Sequence, residues 1–167
     1  MDINNIIKNN IKRLLITTAF GFLAILISFL ITGIFSIQSL SNNSRLTISC
    51  FGQIICGFYV VYYILNFFLA YRFKSEIANK KILKTLLIIS IFILICGICF
   101  IVNGLILPSI RKTYIQAITT RNNNLLQSIL WQGKVIKVEM WISSTIFLVA
   151  IASSLILCSF IFKKMNN

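Results

Sequence analysis

The sequence predicts an all-α integral membrane protein, a four-helix bundle with a partly helical amphipathic loop over residues 109–140 between its third and fourth helices. Three observations predict it. The chain has 167 residues, 58% of them hydrophobic, with a mean hydropathy of +0.93. A soluble domain of this length has too little interior to hide so much apolar surface. Its apolar residues gather in four charge-free runs, each long enough to cross a hydrocarbon core of ~30 Å, which takes about 20 helical residues. Lastly, the charges sit at the ends of those runs. Sixteen Lys and Arg against three acids give a net charge of +13. A nucleic-acid binder carries its basic charge as a patch on a soluble fold. Here the placement matches a chain meeting lipid headgroups. The lipid bilayer is therefore the first partner, and nucleic acid is not expected to be one.

The first run is Leu14 to Ile37, preceded by Lys8, Lys12 and Arg13. A basic start followed by an apolar run also describes a signal peptide. The apolar core of a cleavable one is only ~7–15 residues, so this run reads as a retained span. The second, Leu46 to Tyr71, lies between Arg45 and Arg72. The third, Thr85 to Pro108, lies between Lys84 and Arg111, and the fourth, Met140 to Phe162, between Glu139 and Lys163. All four are apolar on every face, as a lipid-embedded helix is; a membrane strand alternates and is about half as long. The links Gln38 to Arg45 and Arg72 to Lys84 are short, which makes successive helices antiparallel neighbours. Nothing divides the chain into a second domain, and its one proline is Pro108.

Orientation follows from the basic residues. With the N-terminus inside, Lys8, Lys12, Arg13, Arg72, Lys74, Lys80, Lys81, Lys84, Lys163 and Lys164 face one compartment. Arg45, Arg111, Lys112, Arg121, Lys134 and Lys137 face the other. The excess on the first side predicts that both termini are cytoplasmic.

The polar insert Ser109 to Met140 is the one sizeable piece not built for lipid. Ile110, Tyr114, Ala117 and Ile118 recur at helical spacing, and Asn122 to Asn124 mark a helix break with a capping residue. A second amphipathic piece carries Leu125, Leu126, Ile129 and Leu130 and ends near Trp131 and Gly133. From Lys134 to Met140 apolar and charged residues alternate, which fits a short strand or the outer turn of the last helix. Two roles are open. The insert is a recognition cap, or it lies on the headgroups with Trp131 and Trp141 as interface anchors. The layout of two short loops and one longer last loop resembles that of tetraspanins, whose large loop carries a Cys-Cys-Gly motif. This insert contains no Cys, so the specific part of that resemblance is missing.

Several chemistries lack their parts. There is no His, and the acids are Asp2, Glu76 and Glu139, none of them inside a span. General bases, proton relays and carboxylate pairs are thus short of residues, and no Gly-rich phosphate loop is present. An enzyme is not expected, nor is a cofactor or a metal. Cys96-Gly97-Ile98-Cys99 is formally a C-x-x-C, but it sits mid-span, where a thiolate is poorly solvated and unreactive. Small residues packing between helices account for it.

In lipid, close packing drives helices together. Thr17, Gly21, Ala24, Ser28 and Thr32 form a continuous small-residue stripe on the first span. It serves either packing within one bundle or contact with another protein. Three polar side chains stand deeper, Gln53, Asn66 and Asn103, as interhelical hydrogen-bonding groups or as the lining of a narrow aqueous path. The expected function is binding: a small accessory or assembly subunit, or a membrane immunity or inhibitor-type protein, contacting another membrane protein or complex. The residues expected to carry it are Leu126, Leu130 and Trp131 of the insert and the stripe of the first span. The alternative is a channel or carrier for a small solute or ion, using Gln53, Asn66 and Asn103.

Overall fold

The computed structural model describes residues 3–35, 40–72 and 80–166. The start of the first link, Gln38, and Lys74 and Glu76 of the second lie outside the described residues, as does Asp2. Four helices make up the fold: α1 Ile3–Ile34, α2 Asn43–Tyr71, α3 Lys80–Thr119 and α4 Asn123–Asn166. All four are long and apolar enough to cross a membrane, and among the described residues there is no strand. The main contacts join α1 to α2, α2 to α3, α3 to α4 and α4 back to α1. The helices therefore close a square: the short links make successive helices antiparallel neighbours, and α1 packs on α4 to complete it.

Residues 109–140 differ from the loop expected of them. α3 and α4 run on, 40 and 44 residues long, and the insert is a helical hairpin continuous with both spans. The alternating stretch Lys134 to Met140 is helix. Pro108 does not stop α3. It lacks only the N–H that would bond to the Gly104 carbonyl, and packed membrane helices tolerate that loss. The break falls where the asparagines are. Asn122 N–H bonds to the Ala117 carbonyl at 3.0 Å and Arg121 N–H to that of Ile118 at 3.2 Å, the Schellman closure of a helix C-terminus. Asn122 then caps α4, its Oδ1 accepting from Leu125 N–H at 3.1 Å. In the same way Asn42 caps α2 through Arg45 N–H.

Three apolar clusters stack along the bundle. One end holds Ile7, Ile11, Leu83 and Ile161. The middle holds Val60, Tyr63, Phe100, Phe147 and Ile151 among others. The hairpin end holds Ile31, Leu107, Ile110, Ala117, Ile129 and Met140, so the hairpin shares its core with the top of the spans. α2 and α3 meet at Gly57 and Gly97. A Cβ on Gly57 would strike Ile101, and one on Gly97 would strike Val60.

Candidate functional site

The middle and hairpin-end clusters are separated by a polar layer. α1 supplies Ser28, α2 Gln53, α3 Asn103 and α4 Ser143 and Ser144, all of them buried. Helical geometry puts them at one height. The Cys56 thiol reaches the Ala24 carbonyl at 3.4 Å, so the middle of α1 is level with the middle of α2. A Cβ on Gly104 would lie 3.4 Å from Gln53 Cβ, which sets α2 against α3. Ser28 Oγ donates to Ser144 Oγ at 3.0 Å, closing the ring through α4. One turn toward the hairpin, Thr32 and Ser49 are buried and donate to carbonyls of their own helices.

Satisfaction within the layer is uneven. Ser28 also reaches the Ile25 carbonyl. Gln53 is 0% exposed, and neither its Oε1 nor its Nε2 has a partner; Asn103 Nδ2 has none either. Buried amides are ordinarily paired, because leaving one unpaired costs about 1–3 kcal/mol. Beside the layer, Glu139 and Ser143 of α4 stand against the Cys99 thiol of α3. Glu139 thus turns partly inward instead of simply flanking its span.

Asn66 does not belong to this layer. It sits about 20 Å along α2 from Gln53 by helical rise, and its Nδ2 bonds to the Tyr62 carbonyl of its own helix. Sequence reasoning had Gln53 and Asn103 but not their neighbours in the layer. Ser28 was legible only as a member of the small-residue stripe, since a serine serves equally as spacer or donor, and nothing in the sequence singled out Ser144.

The small-residue stripe of α1 faces the bundle interior. Tyr59 OH donates to the Thr17 carbonyl at 2.8 Å. Gly21 lies under Tyr59 OH and Ile151, where a Cβ would be 2.7 and 2.9 Å from them. Ala24, Ser28 and Thr32 are buried. From Thr17 to Ser28 the stripe is occupied by α2 and α4, and Thr32 is buried at its end. A second polar contact below it joins α2 to α4, Tyr63 OH to Ser154 Oγ at 2.7 Å.

In the hairpin, Ala117 and Ile129 are buried, Tyr114, Leu125 and Leu126 pack half-buried against the hairpin-end cluster, and Leu130 is half-buried. Its outer face keeps Ile118 at 50% and Trp131 at 67% exposure. Trp131, Val135, Val138 and Ile142 are all exposed and recur at i, i+4, i+7 and i+11 along α4, one unbroken apolar line from hairpin to span. Trp131 and Trp141 are ten positions apart on a single helix, about 15 Å along its axis. They cannot both sit in one headgroup plane when the helix crosses the bilayer steeply. The hairpin's cations are Arg111, Lys112, Arg121, Lys134 and Lys137, against the single acid Glu139.

No family model, curated protein or solved structure matches this chain. The five cysteines are free, and no group of three potential metal ligands occurs among the described residues.

Proposed function

We propose that the chain is a non-enzymatic multi-pass membrane protein that works by binding another membrane protein, as an accessory or assembly subunit or as an immunity or inhibitor-type protein. One observation carries the reading: Trp131 stands exposed about 15 Å beyond Trp141 on the same helix. A large aromatic held in the aqueous compartment on a rigid hairpin has the character of an interface anchor. The surrounding cations favour a partner with an acidic, partly apolar surface. With the α1 stripe occupied internally, the hairpin is the part left to make this contact. Both termini are assigned to the cytoplasm on the distribution of Lys and Arg, which puts the hairpin on the opposite side.

The test is purification of the full chain from its native membrane in mild detergent, with a photo-crosslinker at position 131. A stoichiometric partner crosslinked at 131, and lost in the Trp131→Ala variant, is the expected result. A lone chain with no crosslink that supports solute flux in liposomes overturns it.

One observation favours a second reading, a channel or carrier. The amide of Gln53 and Nδ2 of Asn103 are buried without partners in the polar layer of the bundle. On that reading, flux in liposomes is lost when Gln53 becomes Leu. On the binding reading, crosslinking at 131 is unaffected by the same change.

A further inference from the structure

A groove of about 360 Å³ opens between α2 and α3 just below the hairpin. Phe51, Ile54, Leu105 and Pro108 line its walls, and Asn43 and Arg111 stand at its mouth. Gly104 forms part of the lining. A Cβ there would come within 2.8 Å of Ile54 Cγ1 and 3.1 Å of the Cys50 carbonyl, so its absence lets the two helices approach behind the groove. From Gly104 to Arg111 is about 10 Å of helix, most of the depth of one leaflet in a ~30 Å core.

The mouth is polar and incompletely paired. Arg111 is half-buried. Its Nη1 donates to Asn43 Oδ1 at 2.6 Å, which holds the guanidinium over the groove, and its Nε is buried without a partner. Glu139, the one acid among the described residues, stands against Cys99 instead. The N-terminal turn of α2 begins at Asn43 and adds the positive end of a helix dipole at the same place. A guanidinium oriented by Asn43 and still partly exposed suits a phosphate, which accepts from the planar fork. An apolar trough leading away from it into the bilayer suits an acyl chain.

We infer that the α2–α3 groove binds a phospholipid with an anionic headgroup, its phosphodiester at Arg111 and one acyl chain along Phe51, Ile54 and Leu105. The site needs only that the chain be in a bilayer, and it stands apart from any contact made by Trp131. A free phosphate shares the headgroup chemistry but leaves the trough unused.

The test uses the full chain in mild detergent, titrated with dioleoylphosphatidylglycerol and read by native mass spectrometry. One lipid should be retained per chain. Arg111→Ala should weaken binding about tenfold, since it removes a charge-assisted donor. Thr47→Trp, which fills the groove from its exposed rim, should weaken it as much. Lys112→Ala, an exposed cation beside Arg111, should change it less than about twofold if the charge effect is local. Equal losses for Arg111→Ala and Lys112→Ala overturn the inference, because diffuse charge then explains binding. So does equal affinity for dioleoylphosphatidylcholine, or displacement by millimolar inorganic phosphate. Should the variants not fold, wild-type protein in dioleoylphosphatidylcholine vesicles with a trace of diazirine-acyl phosphatidylglycerol decides the matter. Crosslinks concentrated on Phe51, Ile54 and Leu105 support the site, and labels spread evenly over all four helices refute it.

Discussion

Ser28 of α1 and Ser144 of α4 share a hydrogen bond of 3.0 Å at the level where the apolar core divides. Within the polar layer it ties α1 directly to α4. Membrane interiors strengthen such bonds less than expected, because the dissociated helices also find partners. Ser28→Ala and Ser144→Ala should each cost about 0.6 kcal/mol, up to ~2. A double-mutant cycle should return a coupling of that size. Detergent-denaturant unfolding read by circular dichroism measures it, and zero coupling would mean that Ser28 spends its proton on the Ile25 carbonyl instead.

The tight contact of α2 with α3 gives a sharper contrast. A Cβ on Gly97 would run into Val60, whereas one on Gly33 meets nothing within 4 Å. Gly97→Ala should therefore destabilise by about 1–3 kcal/mol through overpacking. Gly33→Ala, in an exposed stretch of α1, should gain up to ~1 kcal/mol from helix propensity. Opposite signs for one chemical change, read in the same unfolding assay, test the packing directly.

Much of this architecture was readable before any coordinates. Charge-free runs such as Thr85 to Pro108 demand helix because lipid offers no partner to an open backbone. The turn at Asn122 was readable too, since asparagine caps helices and tolerates turn geometry. The continuity of α3 through Pro108 was not. Proline and a polar composition both argue for a loop, and only the apolar seam from Ile110 through Ala117 to Ile129 and Met140 keeps the hairpin helical. The polar layer was half-readable: Gln53 and Asn103 announce themselves in an apolar span, but their common height depends on how α2 and α3 slide past each other. That register is fixed by Gly57 and Gly97 in three dimensions, not by spacing along either helix.

The hairpin turn carries a residue in a conformation it does not favour. Arg121 has φ of 52°, the left-handed region that glycine enters without steric cost. Arg121→Gly should stabilise the hairpin by about 1 kcal/mol, the usual penalty for a side chain there. Hydrogen exchange at Asn122 and Leu126, whose amides close the turn, should slow by about fivefold, the factor that 1 kcal/mol confers on a local opening equilibrium. Unchanged or faster exchange would show that the Arg121 side chain makes a contact worth more than the strain.

Gln53 separates a structural layer from a functional one. Both of its amide atoms are buried without partners at 0% exposure, and an unpaired buried amide destabilises by about 1–3 kcal/mol. Replacing it with Leu, of similar volume and with no polar atoms, removes that penalty. Gln53→Leu should therefore raise stability by roughly 1 kcal/mol or more. Asn103→Leu should do the same to a smaller extent, because one of its amide atoms, Nδ2, is buried without a partner against two in Gln53. A gain in stability with crosslinking at 131 preserved is what the binding reading requires, since neither amide touches the hairpin's outer face. A clear loss of stability would mean that Gln53 is paired through water in the membrane, and that the layer is hydrated. Flux measured on the same variants then decides whether that hydration forms a path, because a transport layer stripped of its amides stops conducting however well the bundle folds.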